Sequence, residues 1–203
     1  MHKRMIMSCL AIGAFMALVV APAASASPVL TENGEPVAVG SSILAKNTGN
    51  VVFSGGFEAS CSNAELAGTV TANTGTSIKA EIPVGGAKFS GTGASGDCTS
   101  ALGDFSVTVN SKICEETVKG TDTDTITGCG APLTYTLTVT SGLACKYSAA
   151  SVSATFLTGK DATLNVEKQT VKKEEGSILC PSEGSLSVDF DQTTTNGETL
   201  LIS

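Results

Sequence analysis

The residue types that could do chemistry in this chain are acids, lysines, threonines and cysteines. Asp122-x-Asp124, flanked by Thr121, Thr123, Thr125 and Thr127, could hold a hard cation through carboxylate oxygens. It lacks the glycine and the distal glutamate of an EF-hand loop, so an acidic, solvated turn is the expected reading. Asp189 and Asp191 stand two residues apart, as a pair of acid–base carboxylates could. Their alternation with Leu186, Val188 and Phe190 turns them to solvent instead. Lys172-Lys173-Glu174-Glu175 reads as a loop or an edge-strand face that resists edge-to-edge pairing. Lys119-Gly120, inside the shortest Cys–Cys loop, resembles a place where a protease inhibitor presents a cleavage site, but a Lys-Gly turn needs no such explanation.

Missing residues exclude more than present ones suggest. The chain has 203 residues, Lys+Arg 12, Asp+Glu 19 and a formal charge of −7. His2, Arg4 and all of Met1, Met5, Met7 and Met16 lie in the first 26 residues, and there is no Trp. Beyond Ala26 there remain ten lysines against nineteen acids, a net −9. Without histidine no Ser-His-Asp or Cys-His nucleophile can be assembled, and no His-ligated zinc. Without arginine, and with an acidic surface, nucleic acid is excluded as a partner. No catalytic, cofactor-binding or metal residue is assigned, and the chain is expected not to be an enzyme.

The N-terminus addresses the chain outward. His2, Lys3 and Arg4 precede an apolar run from Met5 to Val20, and Ala24-x-Ala26 places small residues where a signal peptidase reads. Residues 1–26 are therefore expected to be a signal peptide cleaved after Ala26. Residues 27–203 are expected to form one disulfide-stapled domain, secreted or envelope-associated, without stable membrane insertion. The remaining cysteines are Cys61, Cys98, Cys114, Cys129, Cys145 and Cys180. An even set in an exported chain reads as three disulfides. Six cysteines allow 15 pairings; the sequential set Cys61–Cys98, Cys114–Cys129 and Cys145–Cys180 is the one expected.

The elements that would position these groups are strands. Leu133-Thr-Tyr135-Thr-Leu137-Thr-Val139 alternates apolar and threonine positions, as a half-buried antiparallel strand requires. Phe105–Val109, Leu186–Phe190, Leu66–Val70, Ile78–Ile82, Val152–Phe156 and Leu164–Val166 repeat the pattern, with shorter runs at Val37–Val39 and Val51–Phe53. Gly/Asn/Asp/Ser turns such as Asn47–Asn50, Asn73–Gly75, Gly91–Asp97 and Gly159–Asp161 separate them. The fold class expected is all-β: an antiparallel sandwich or barrel of short strands. Positions 66, 68, 69, 70, 78 and 80 match positions 86 residues later, and Cys98–Val107 echoes Cys180–Val188. This suggests two half-repeats, about 45–110 and 131–192, with a stapled surface hairpin or loop at 111–130 between them. The same repeat favours the sequential disulfides, because each long bridge would span its own block.

The alternating strands and three cysteine pairs, with Gly91-Thr-Gly-Ala-Ser-Gly-Asp-Cys-Thr-Ser100 and Glu175-Gly-Ser-Ile-Leu-Cys-Pro-Ser182, resemble a set of small exported actinobacterial proteins. That resemblance implies localisation and no activity. The acidic, Ala/Gly/Ser/Thr-rich composition is also similar to the actinobacterial apochromoproteins, secreted carriers of a small aromatic molecule; no binding residue carries over. The function expected is a non-catalytic exported β module acting by surface contact. The alternatives are a small-molecule carrier and a secreted protease inhibitor. A carrier would line an open cleft with several of Phe53, Phe57, Phe89, Phe105, Phe156, Phe190, Tyr135 and Tyr147.

Overall fold

A computed structural model describes residues 29–55, 58–118, 121, 123–156 and 162–202. The expected leader and its cleavage site, Phe57, Lys119-Gly120, Asp122 and the turn at 159–161 lie outside the described residues. Strands run in the order β1 (Leu30–Glu32), β2 (Glu35–Pro36), β3 (Ser42–Asn47), β4 (Val51–Ser54), β5 (Ala59–Cys61), β6 (Asn63–Asn73), β7 (Ser77–Ile82), β8 (Ala87–Ser90) and β9 (Cys98–Ser100). They continue as β10 (Gly103–Val109), β11 (Ile113–Val118), β12 (Thr123–Thr127), β13 (Leu133–Val139), β14 (Ala144–Ala149), β15 (Val152–Phe156), β16 (Thr163–Gly176), β17 (Glu183–Thr194) and β18 (Leu200–Ile202). The fold is all-β, with one 3-10 turn at Ala94–Gly96.

Two ladders each close on themselves. The first ring runs β3–β6–β7–β11–β12–β15–β16–β17 and back to β3, every pair antiparallel. The second runs β4–β5–β9–β10–β13–β14–β16–β17 and back to β4, also antiparallel throughout. The long hairpin β16–β17 belongs to both. Of the two architectures expected, the pairing is that of a barrel. Closure satisfies edge donors and acceptors that an open sheet of this size would leave for aggregation.

Sharing a hairpin poses a phase problem. Leu164 and Val166 are buried in the first ring, but Val171 is the buried residue in the second, so the inward parity changes along β16. The change is made by a bulge. Val166 pairs with Val188, whereas Gln169 pairs with Leu186, and Lys168 takes φ +44°. One extra residue turns the strand's apolar face back inward. On β17 the parity is continuous, from Leu186 through Val188, Phe190 and Gln192 to Thr194.

Three further strands cap the first ring. β1 pairs with β18 and β2. Leu30, Leu200 and Ile202 are buried in the same core cluster as the ring residues. The Leu30 N–H donates to Asn73 Oδ1 at 2.9 Å, and Asn73 Nδ2 donates to the carbonyls of Leu30 and Val37 at 2.8 Å each. On another side the Ala162 N–H donates to the Leu200 carbonyl at 2.7 Å. The cap is thus tied to both β6 and the start of β16.

The disulfides are Cys61–Cys98, Cys114–Cys129 and Cys145–Cys180. The first joins β5 to β9 inside the second ring. The third ties β14 to the loop at 177–182, beside Gly176 at φ +123°. A Cβ on Gly176 would sit 2.5 Å from the Ala144 carbonyl oxygen and 3.0 Å from Cys180 Sγ, so the bridge crosses where only glycine leaves room.

Residues 111–130 form a hairpin rather than a loop, but it does not lie on the surface between two blocks. They form β11 and β12, two staves of the first ring, with Ile113, Thr117 and Asp124 buried. Ile113, Glu115 and Thr117 share one face of β11; the polar composition conceals a strand with an inward side. The segments aligned by the repeat do share a ring: β6 and β7 lie in the first, as do β15 and the start of β16. The match stops at β9, because Cys180 lies in a loop and not on a strand.

Candidate functional site

Both ring interiors are built by alternation, but their contents differ. In the second ring Phe53, Phe105, Tyr135 and Tyr147 are all buried. Phe53 meets Phe105 edge-on at 6.2 Å between centroids, and Tyr135 stacks on Tyr147 at 5.7 Å. Burial raises both tyrosine pKa values, and in Tyr135 the neighbouring Tyr147 adds to the effect. The Tyr147 hydroxyl still finds an acceptor, the Pro181 carbonyl at 3.3 Å.

The first ring holds a chain of polar side chains in its lumen. Thr117 Oγ1 donates to Asp124 Oδ1 at 3.0 Å. Glu115 interacts with Asp124 and accepts a 2.6 Å hydrogen bond from Gln192 Nε2. Gln192 sits on β17, four strands from β11 in either direction around the ring, so this bond spans the lumen. Asp124, Thr117 and Gln192 are buried. Burial drives the Glu115 carboxyl well above the ordinary range; the charge of Asp124 adds to this and the Gln192 bond opposes it. Burial also raises Asp124, to about 6, against the opposing interactions with Thr117, Glu115 and the Thr125 backbone.

Between the two lumens lies an apolar cavity of about 70 Å³. Phe53, Phe89, Ile113, Tyr135 and Phe190 are among its walls, and Glu115 is the one carboxyl in its lining. Glu115 is half-buried.

At the far end of the second ring three turns converge on an open apolar groove. It is lined by Leu102 from the β9–β10 turn, Leu143 from the β13–β14 turn, and Ile178 and Leu179 from the β16–β17 loop. Ile178 is 96% exposed and Leu179 70%. The loop is held firmly: Cys180 is bridged to Cys145, and Lys173 Nζ donates to the carbonyls of Ser177 and Cys180 at 3.3 and 3.1 Å.

The residues singled out from sequence are scattered. Asp124, expected in a solvated turn, is 0% exposed and faces the lumen. Its parity explains this: Asp124 shares a face with Ile126, two residues on. Thr123 and Thr125 point outward, and Thr121 caps the turn by donating to the Val118 and Thr123 carbonyls. Asp189 is exposed and accepts from Asn165 Nδ2; Asp191 accepts from Thr163 Oγ1 at 3.0 Å, on the outer face of the β16–β17 hairpin. The run Lys172–Glu175 is not an edge. It pairs with β14 on one side, and Lys172 also pairs with β17. Its Glu174 and Glu175 meet Lys146 Nζ at 3.4 and 3.6 Å.

Among the described residues no three His, Cys, Asp or Glu side chains cluster as metal ligands would. No helix among them is long and apolar enough to cross a membrane. Sequence reasoning missed Glu115, Thr117 and Gln192. The available signal was their parity with Ile113 and with Val188 and Phe190. No protein-family model matches the chain, and neither a curated protein nor a solved structure matches it.

Proposed function

We propose that this chain is a non-catalytic exported module that works in the cell envelope or outside the cell by surface contact, through the tip formed by Leu102, Leu143, Ile178 and Leu179. The observation that carries this reading is the braced exposure of Ile178 and Leu179. A disulfide and the Lys173 bonds hold the loop that carries two large aliphatic side chains in water. Exposed apolar patches held in this way mark contact surfaces. None of the ten residues lining the groove is acidic, in a chain with nineteen acids, so charge does not keep a partner away. Export rests on the leader pattern and the three disulfides, and on the resemblance to small exported actinobacterial proteins.

A carrier has less support. Drug-sized ligands occupy pockets of about 300–1,000 Å³; the inter-ring cavity is about 70 Å³, and the tip groove, about 660 Å³, is open and lined by none of the aromatic side chains a carrier would need. Phe53, Phe105, Phe156, Phe190, Tyr135 and Tyr147 are spent on the core. The test is sedimentation of the oxidised protein with envelope fractions of the producing cell, beside the double variant Ile178→Ser/Leu179→Ser. The variant should lose association while keeping its Tm. Equal association of both forms, or of neither, overturns the reading.

A further inference from the structure

We propose that the first ring contains a proton-binding site, in which Glu115 and Asp124 share one proton at neutral pH, and that losing this proton loosens the ring. The geometry starts from an orphan atom. Asp124 is 0% exposed, yet its Oδ2 has no hydrogen-bond partner. Burying an unpaired carboxylate oxygen carries the full desolvation cost of that atom. Glu115 is the neighbour able to remove that cost. Gln192 Nε2 supplies a donor to Glu115 Oε1, which leaves Oε2 to carry a hydrogen. A protonated Glu115 then donates to Asp124, which already accepts from Thr117. The chain Thr117–Asp124–Glu115–Gln192 is thereby satisfied from β11 to β17.

Among the described residues no cation faces the site. Of the ring strands, β11 and β12 direct Glu115 and Asp124 inward. Among the described residues β3, β6, β7, β15, β16 and β17 place uncharged side chains on their inner faces. Lys79, Glu81 and Lys112 pair on the outer surface, and Glu116, bound to Lys79 there, adds its charge to the repulsion at Asp124. The cap contributes Glu35 and Glu198, exposed, and Glu32, half-buried. A second negative charge inside this lumen would meet no neutralising group among the described residues.

Two carboxyls this close titrate as a unit, with a proton count belonging to the pair. Both are raised in the folded state, so the native ring binds protons more tightly than the unfolded chain. The stability they contribute is therefore fully present below the unfolded carboxyl range. It falls as pH rises through the raised range of the pair, in which Asp124 lies at about 6 and Glu115 is also held up by burial.

The experiment is thermal unfolding of the oxidised protein from pH 5 to pH 8, with infrared spectra at pH 7, for the parent, Glu115→Gln and Asp124→Asn. The parent should lose about 5 °C of Tm across that range and show a protonated-carboxyl C=O band at pH 7. Glu115→Gln keeps a donor for Asp124, so it should lose the band and flatten the pH dependence. If that variant does not fold, Asp124→Asn carries the same test, its new side-chain amide donating to Glu115. A parent Tm that is flat or rising over this range overturns the proposal. So does a band that survives in whichever variants fold.

Discussion

The two rings share a hairpin and a strand count, yet each is held by different means. The second ring is closed by four aromatic side chains and carries two buried disulfides, Cys61–Cys98 and Cys145–Cys180. The first has its bridge, Cys114–Cys129, on half-buried cysteines, and strings Thr117, Asp124, Glu115 and Gln192 across its lumen. A disulfide acts chiefly on the unfolded chain and is indifferent to pH in the neutral range. A buried polar chain acts on the folded state and is sound only while every member is satisfied. The same closed ladder can therefore be stapled at one end and conditional at the other.

The largest difference should come from cores. Phe105 is 2% exposed and packs edge-on against Phe53. Phe105→Ala should cost about 3–5 kcal/mol, read as a lowered denaturant midpoint with the slope unchanged. A loss under about 1 kcal/mol would mean that the second ring does not depend on its aromatic cluster.

The staples rank next. Replacing Cys145 and Cys180 together by alanine should cost about 2–5 kcal/mol, because the bridge closes a long loop and fixes the 177–182 turn. Cys114 and Cys129 enclose 15 residues, for which chain entropy gives about 3 kcal/mol. Since β11 and β12 are ring staves, this pair is not dispensable. Its removal should also shift the pH dependence of Tm, which removal of Cys145–Cys180 should leave alone. Identical pH profiles for the two double variants would erase the distinction between the rings.

The smallest effect belongs to the outer surface of the second ring. Lys146 lies between Glu174 and Glu175, with side chains 31% to 74% exposed. Exposed pairs of this kind contribute about 0–1 kcal/mol. Lys146→Ala should therefore move Tm by no more than a few degrees, and less in high salt.

What could be read from the sequence follows the same division. The strands of the aromatic ring announce themselves: Leu133–Val139 alternates cleanly, and its odd positions are the buried ones. In β11 and β12 the inward positions include Glu115, Thr117 and Asp124, so hydrophobicity alternates weakly and the segment passes for a surface hairpin or loop. Closure was legible only as one of two alternatives, a barrel beside a sandwich. It depends on pairings between residues far apart, such as Ser42 with Thr69 and Thr194 with Ile43, which no local pattern encodes. The bulge at Lys168, which breaks the alternation of β16 and makes its second half read as a charge run, was not legible. Cysteine spacing left the pairing open; the internal repeat favoured the sequential bridges but did not show which of them lie inside a ring.

Hydrogen exchange at pH 5 and pH 8, corrected for the intrinsic chemical rate, tests the division most directly, because it reads each ring separately in one unmodified molecule. Peptides from β7, β11 and β12 should lose protection at the higher pH, while those from β10 and β13 keep theirs. Equal loss in both rings, or earlier loss in β10 and β13, would contradict the claim that one ring is held by a proton and the other by staples.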